Sequence, residues 1–103
     1  MLCFLNGERG IYALGATSGH ISECEAWENT YSGIELENDV TDVDVIGCLS
    51  KLNGHYGIRL HIDACIDNRI IGNRCFGNTL GGISAEDSED YNIIVNNDVR
   101  GNV

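Results

Sequence analysis

The sequence contains no proline and few basic residues. Its 103 residues include 6 Lys plus Arg against 16 Asp plus Glu, which gives a formal net charge of −10. Without proline, the turns must depend on glycine, asparagine and aspartate, which tolerate unusual backbone conformations. The negative charge repels phosphate backbones and anionic lipid headgroups, so we expect neither nucleic acid nor a membrane surface as a partner.

Long apolar runs and a cysteine framework are also missing. No stretch approaches the roughly 20 apolar residues of a membrane helix, and the start of the chain is too short and lacks the basic residues of a signal peptide. The five cysteines cannot all pair and contain no C-x-x-C motif, so we expect free thiols. Free thiols favour a cytoplasmic location or simple burial, and they leave the compartment open.

The chain is organised by an internal repeat with the frame N-x-x-x-G-I-x-[L/A]. The frame occurs four times, beginning at Asn6, Asn29, Asn53 and Asn78. Successive asparagines are 23, 24 and 25 residues apart, and Asn102 follows after 24 more. A fixed period of this length is typical of a solenoid.

Each repeat predicts short β-strands and no helix. The first strand holds isoleucine at one position and alanine or leucine two residues further on, so alternation points both columns inward. A second strand follows about ten residues later, and a third is predicted near residues 26–27, 50–51, 75–76 and 98–99. The inward columns are Ile11, Ile34, Ile58 and Ile83; Ala13, Leu36, Leu60 and Ala85; and Ile21, Val45, Ile70 and Ile93.

Parallel stacking of the repeats would place equivalent residues about 4.8 Å apart. We expect the asparagines of the frame to occupy left-handed turn positions, with each side-chain amide donating to the asparagine one coil away. The glycines of the frame are predicted to supply permissive backbone where the turn enters the strand. A further column is predicted to hold small stacked side chains. The glycine column is Gly10, Gly33, Gly57 and Gly82, and the column of small side chains is Cys24, Cys48, Asn73 and Asn96.

The G-I-x-[L/A] strand, the later apolar strand with glycine and asparagine in residues 70–73, and the asparagine turn resemble known repeats. They are similar to the right-handed parallel β-helix repeats of the pectate-lyase-like superfamily. The resemblance covers the whole chain and implies an all-β solenoid of about four coils of 23–25 residues. We expect residues 1–103 to form a single domain that is a segment of a longer solenoid. A leucine-rich repeat has a similar period, but its L-x-x-L-x-L-x-x-N frame is not met.

The outward positions of the first strand carry the residues most suited to chemistry. One outward column contains Tyr12, Glu35, Arg59 and Ser84, and the neighbouring column contains Leu14, Glu37, His61 and Glu86. Stacking would place an imidazole between two carboxylates on an exposed face, with a guanidinium beside a third carboxylate. Such a cluster suits acid–base chemistry on a sugar ring. The alternative is a charged sheet surface whose opposite charges only stabilise strand pairing.

Residues 56–61, with the sequence Tyr-Gly-Ile-Arg-Leu-His, also resemble the Y-G-F-D-P-H stretch of mannuronan C-5-epimerases. The tyrosine, glycine and histidine match, whereas Arg59 replaces the acidic residue and Leu60 the proline. The resemblance implies that His61 removes the proton next to a uronate carboxylate and that Arg59 stabilises the resulting charge. Tyr56 and Asp63 complete the predicted catalytic set. The predicted substrate-binding residues are Tyr12, Glu35, Glu37 and Glu86.

Aspartates cluster in the part of each repeat that follows the first strand. Hard oxygen ligands suit Ca²⁺, which some lyases of this superfamily use. No calcium-binding frame such as D-x-[DN]-x-[DN]-G is present, so solvated carboxylates are favoured and no metal site or other cofactor is predicted. The aspartates are Asp39, Asp42, Asp44, Asp63, Asp67, Asp87 and Asp90.

Two functions remain in competition. The first is a carbohydrate-active protein (a lyase, epimerase or hydrolase) that binds or acts on a polysaccharide through the exposed strand face. The second is a non-catalytic structural or binding module, similar to a tailspike, whose sheet ends are covered in a homo-oligomer or by the rest of a longer parent chain. The fold alone does not decide whether the chain is an enzyme.

Overall fold

The first three full repeats each form three short strands, one after another, and the last repeat forms two in its described residues. The structure is a computed structural model, and it describes residues 2–4, 6–61, 65–85 and 91–102. Polar turns end each strand after a few residues, so that the chain changes direction three times per repeat. The strands are β1 (Leu2–Phe4), β2 (Ile11–Leu14), β3 (Gly19–Ser22), β4 (Glu25–Trp27), β5 (Ile34–Glu37), β6 (Val43–Ile46), β7 (Leu49–Lys51), β8 (Tyr56–His61), β9 (Arg69–Ile71), β10 (Arg74–Phe76), β11 (Gly81–Ala85) and β12 (Ile93–Val95).

The strands form three parallel sheets of four strands each. Sheet A contains β1, β4, β7 and β10; sheet B contains β2, β5, β8 and β11; and sheet C contains β3, β6, β9 and β12. Because every third strand pairs in parallel, the chain is wound as a solenoid, which confirms the all-β prediction. The predicted third strand forms near residues 26–27, 50–51 and 75–76, whereas residues 98–99 contribute only an isolated bridge between Asp98 and Arg74. The first and last strands of a sheet are three turns apart, close to the expected four coils. Within the described ranges, no helix has the length and apolar character needed to cross a membrane.

The core lies between the three sheets and consists of stacked aliphatic side chains. The first predicted column pairs in register on sheet B in the order Ile11, Ile34, Ile58 and Ile83. Ile34 and Ile58 are completely buried, and Leu36 and Leu60 form a second buried column beside them. Burial of one such side chain stabilises the fold by about 1.5–3 kcal/mol, so these columns hold successive coils together.

The predicted alignment of the fourth coil on sheet C is wrong by one residue. Ile70 pairs with Ile94 rather than with Ile93. Between the inward residues of sheet B and sheet C, the chain advances by 8, 9, 10 and 9 residues in successive coils. Because this connection varies in length and residues 93–95 are all apolar, neither counting nor alternation determines the register there.

The asparagine column forms a continuous hydrogen-bonded ladder, as predicted. Each Nδ2 donates to the Oδ1 of the asparagine one coil later at 2.9–3.0 Å, in the order Asn6, Asn29, Asn53, Asn78 and Asn102. The left-handed residue of each turn, however, lies one position earlier than expected, at Glu28, Leu52, Gly77 and Gly101. The ladder asparagines are therefore needed for their amide groups and not for an unusual backbone conformation.

Two other corners of the coil carry shorter asparagine ladders that the repeat frame did not predict. They join Asn68 to Asn92 at 3.2 Å and Asn73 to Asn97 at 3.0 Å. The residue aligned with Asn73 is thus Asn97, and the predicted alignment with Asn96 is wrong. One coil earlier Cys48 takes this position, and its backbone amide donates to Asn73 Oδ1 at 2.8 Å.

The glycine column is required for space rather than for backbone freedom, which corrects the sequence prediction. None of Gly10, Gly33, Gly57 and Gly82 has a positive φ. A Cβ at Gly33 would overlap Ser50 Oγ and would lie 2.6 Å from Asn53 Nδ2. At the other three glycines, a Cβ would lie 2.6 to 2.9 Å from the side-chain amide of the next ladder asparagine. Glycine and asparagine columns are therefore two parts of one packing arrangement.

The four cysteines of the described core form no disulfide bonds with one another, in agreement with the prediction of thiols. Cys24, Cys48, Cys65 and Cys75 are buried and unpaired with one another. Burial raises the pKa of the Cys75 thiol to about 12. The Cys75 thiol therefore stays protonated at neutral pH, and the buried cysteines pack as small apolar side chains.

Candidate functional site

The outward face of sheet B brings predicted site residues from several coils together. Its two columns, paired in register, are Tyr12, Glu35, Arg59 and Ser84, and Leu14, Glu37 and His61. Tyr56 begins β8, the strand that also carries Arg59 and His61. The predicted residues Asp63 and Glu86 lie outside the described residues. This surface is named the sheet B face below.

Glu35 is a buried counterion, and the prediction that it is exposed is wrong. Only 1% of the residue is exposed. Arg9 donates a hydrogen bond from Nε to one carboxylate oxygen of Glu35, and Arg59 Nη1 lies 3.4 Å from the other. Two guanidiniums thus offset the cost of removing one carboxylate from water. Glu35 positions both arginines and is not accessible to a substrate.

Arg9 belongs to the sheet B face although the sequence reasoning missed it. Its guanidinium lies 4.6 Å from the ring centroid of Tyr12 and 5.5 Å from that of Tyr31, and its Nη2 lies 3.7 Å from Glu37 Oε2. Contacts with two aromatic rings and with the carboxylates of Glu8, Glu35 and Glu37 fix this side chain over the sheet. The signal in the sequence was an arginine directly before the repeat glycine, where the other repeats have Ser32, Tyr56 and Gly81.

Glu37 and His61 lie side by side, and each has a buried polar atom without a hydrogen bond. The two residues pair in register on β5 and β8. Among the described residues, the buried atoms Glu37 Oε2 and His61 Nδ1 have no hydrogen-bond partner. Partial burial and a hydrogen bond to Glu37 raise the pKa of Tyr12 above its ordinary value. An imidazole next to a carboxylate is an arrangement that holds and transfers a proton.

Arg59 and Tyr56 extend this arrangement along β8. The Arg59 guanidinium lies 5.5 Å from the ring centroid of Tyr56, and 17% of the side chain is exposed. Alternate residues of a strand are about 6.7 Å apart, so Arg59 and His61 are separated by a distance similar to the size of one sugar ring. The sheet B face therefore presents aromatic rings, a cation and an imidazole in one strip.

The aspartates do not form a metal site in the part of the chain that the structure describes. No group of three or more His, Cys, Asp or Glu side chains there is suitably placed to hold a metal ion. Asp44 lies on β6 of sheet C, where Arg69 donates hydrogen bonds to its two oxygens at 2.7 and 2.8 Å. These bonds lower the pKa of Asp44. Asp63, Asp87 and Asp90 lie outside the described residues.

Three parallel sheets wound around one core define this protein as a parallel β-helix with a charged and aromatic face. The family model described as a right handed beta helix region matches residues 3–99. The chain therefore belongs to the right-handed β-helix family, in agreement with its resemblance to the pectate-lyase-like superfamily. No curated protein and no solved structure matches the chain significantly.

Proposed function

We propose that this protein is carbohydrate-active, binding an acidic polysaccharide along the sheet B face and acting on it there. The observation that carries the proposal is the in-register pair of Glu37 and His61, each with a buried polar atom that has no hydrogen-bond partner among the described residues, Arg9 Nη2 lying 3.7 Å from Glu37 Oε2. Such an atom costs about 1–3 kcal/mol in a folded protein. A ligand that supplies the missing hydrogen bonds removes this cost, which is why unsatisfied groups point to binding or catalytic sites.

The chemistry of the face suits a uronate. The neutral imidazole of His61 accepts the proton next to the sugar carboxylate, and the Arg59 guanidinium stabilises the negative charge that develops there. Tyr56 and Tyr12 supply ring surface on which a sugar can stack. Asp63 and Glu86 are proposed to complete the site from the segments that follow β8 and β11. Lyases and epimerases share this first proton abstraction and differ in the step that follows it.

A second candidate, a non-catalytic binding module, is favoured by the buried position of Glu35. Arg59 is already bound to a protein carboxylate, and this engagement reduces its availability to a substrate carboxylate. In that case the sheet B face binds the polysaccharide without changing it. The second candidate predicts retained binding and no chemical product.

The two candidates are separated by incubating the protein with pectate and with alginate. Absorbance detects unsaturated products, and NMR detects deuterium taken up from D₂O by the uronate ring. We expect the wild type to turn over at least one of the two polymers. His61→Ala should abolish turnover. His20→Ala is the matched control, because His20 lies on sheet C with 74% of its side chain exposed.

The outcomes assign the function directly. Turnover by the wild type and by His20→Ala, but not by His61→Ala, supports the catalytic proposal. Binding without a product supports the non-catalytic module. Absence of both binding and product with either polymer contradicts a carbohydrate function for the sheet B face.

A further inference from the structure

A second column of aromatic and basic side chains lies on the outward face of sheet A, away from the sheet B face. Trp27, Lys51 and Phe76 occupy equivalent positions on β4, β7 and β10. Lys51 Nζ lies 5.8 Å from the ring centroids of both Trp27 and Phe76. The Arg74 guanidinium lies 4.8 Å from the Phe76 centroid. These four residues are named the sheet A ladder.

The sheet A ladder concentrates positive charge on an acidic protein. The chain has 6 Lys plus Arg and a net charge of −10. Within the described residues, Arg9, Arg59, Arg69 and Arg100 form ion pairs with carboxylates, whereas Lys51 and Arg74 do not. Both cations lie on aromatic rings, which leaves their charge available to an anionic ligand.

The spacing of the rings matches a sugar chain. Trp27 and Phe76 are two strand spacings apart, about 9.6 Å, which is close to two sugar residues with a cation between them. Beyond Phe76 the ladder continues into a cavity of about 360 Å³, which is lined by Arg74, Phe76, Asp98, Arg100 and Gly101. A separate cavity of about 410 Å³ is lined by other residues and is not part of the ladder. The rings, the cations and this cavity form one open strip parallel to the solenoid axis.

We propose that the sheet A ladder is a second binding site, and that its ligand is an acidic oligosaccharide. Sugar C–H faces stack on Trp27 and Phe76, and sugar carboxylates bind Lys51 and Arg74. Single-stranded nucleic acid also combines stacking with cations, but two unpaired cations on a protein of charge −10 favour the less densely charged polymer. The class of ligand rests on the proposed function, whereas the site itself is independent of the sheet B face.

Trp27 makes the proposal directly testable, because it is the only tryptophan in the chain. Its fluorescence is titrated with tetragalacturonate, with the carboxyl-reduced neutral tetrasaccharide and with a short oligothymidylate. We expect a saturable change with tetragalacturonate and a much weaker one with the neutral sugar. Phe76→Ala and Lys51→Met should each weaken the tetragalacturonate affinity about tenfold, equivalent to about 1.4 kcal/mol. Lys51→Met keeps the aliphatic stem, so the fold is retained.

Arg69→Met is the matched control, since it removes one positive charge from sheet C and leaves the ladder intact. Its affinity should equal that of the wild type. The proposal is overturned if tetragalacturonate leaves Trp27 fluorescence unchanged, if Arg69→Met weakens binding as much as Lys51→Met, or if oligothymidylate binds more tightly. His61→Ala should leave the Trp27 titration unchanged, so loss of turnover at the sheet B face and failure of the sheet A ladder are distinguishable.

Discussion

Glu35 and Arg59 occupy directly opposite positions on β5 and β8, with 3.4 Å between Arg59 Nη1 and Glu35 Oε1. Arg9 binds the other carboxylate oxygen, and Glu35 is 1% exposed. A carboxylate on the outward side of a sheet is therefore buried by two side chains that lie over it. This ion-pair group organises the sheet B face, because it fixes the two arginines between the tyrosines.

Replacement of Glu35 by glutamine should destabilise the protein strongly. The substitution removes the buried carboxylate charge that Arg9 and Arg59 share, although Arg9 keeps ion pairs with Glu8 and Glu37. We expect a loss of about 3 kcal/mol in the free energy of unfolding, measured with urea. Asp98→Asn is the control, because it removes a carboxylate from a pair whose arginine, Arg100, is 90% exposed. Exposed pairs contribute little. Equal effects of the two substitutions would contradict the buried role of Glu35.

Asn53→Ala should break the asparagine ladder at its centre. Asn53 is 1% exposed, its Oδ1 accepts two hydrogen bonds from Asn29, and its Nδ2 donates to Asn78 Oδ1 at 2.9 Å. Alanine leaves several buried groups unsatisfied, so we expect a loss of about 3 kcal/mol or more in thermal or urea unfolding. Asn6→Ala should be mild, since Asn6 belongs to the same ladder but is exposed. A mild effect at Asn53 would show that the ladder contributes little.

Gly33→Ala tests whether the glycine column makes room for the ladder. A methyl group there overlaps Ser50 Oγ and presses on the Asn53 amide, and overpacking of this kind costs about 1–3 kcal/mol. Gly7→Ala is the matched control, because a Cβ at Gly7 meets no atom within 4 Å. The φ of Gly33 is not positive, so the backbone conformation itself allows alanine. A Gly33→Ala variant as stable as the wild type would therefore contradict the packing explanation.

The Asp44–Arg69 pair should make stability depend on acid pH. Hydrogen bonds from Arg69 lower the pKa of Asp44 below its ordinary value of 3.8. The pair therefore stabilises the fold fully above about pH 4, and this contribution falls as pH drops through the lowered pKa. Wild type and Arg69→Met should differ in stability at pH 7 and converge towards pH 2, as measured by urea unfolding. A difference that is the same at both pH values would contradict this account.

The repeat frame predicted the parts of the fold where equivalent residues recur at fixed intervals. The isoleucine column and the asparagine ladder follow directly from the spacing of Asn29, Asn53 and Asn78. The frame failed between sheets B and C, where the connection changes length from coil to coil and shifts Ile94 into the place expected for Ile93. It also missed the crowding at Gly33, because packing between coils has no signature in one repeat.

The sequence predicted which residues of the candidate site share a column, but it did not predict which of them are buried. Alternation correctly placed Glu35, Arg59 and His61 on one side of sheet B. It could not show that Arg9, which precedes the strand, folds over Glu35 and buries it. The prediction of a third strand aligned Trp27, Lys51 and Phe76, but these side chains are chemically different, so the alignment did not indicate that they form one ladder.

The most direct test of the central claim, that an acidic polysaccharide binds the sheet B face, is an NMR titration of the ¹⁵N-labelled protein with oligogalacturonate and oligomannuronate. The account predicts saturable amide shift changes in residues 34–37 and 56–61, with His61→Ala weakening them. Residues 43–46 and 69–71 of sheet C should not change. Saturating ligand that leaves residues 34–37 and 56–61 unperturbed would contradict the claim.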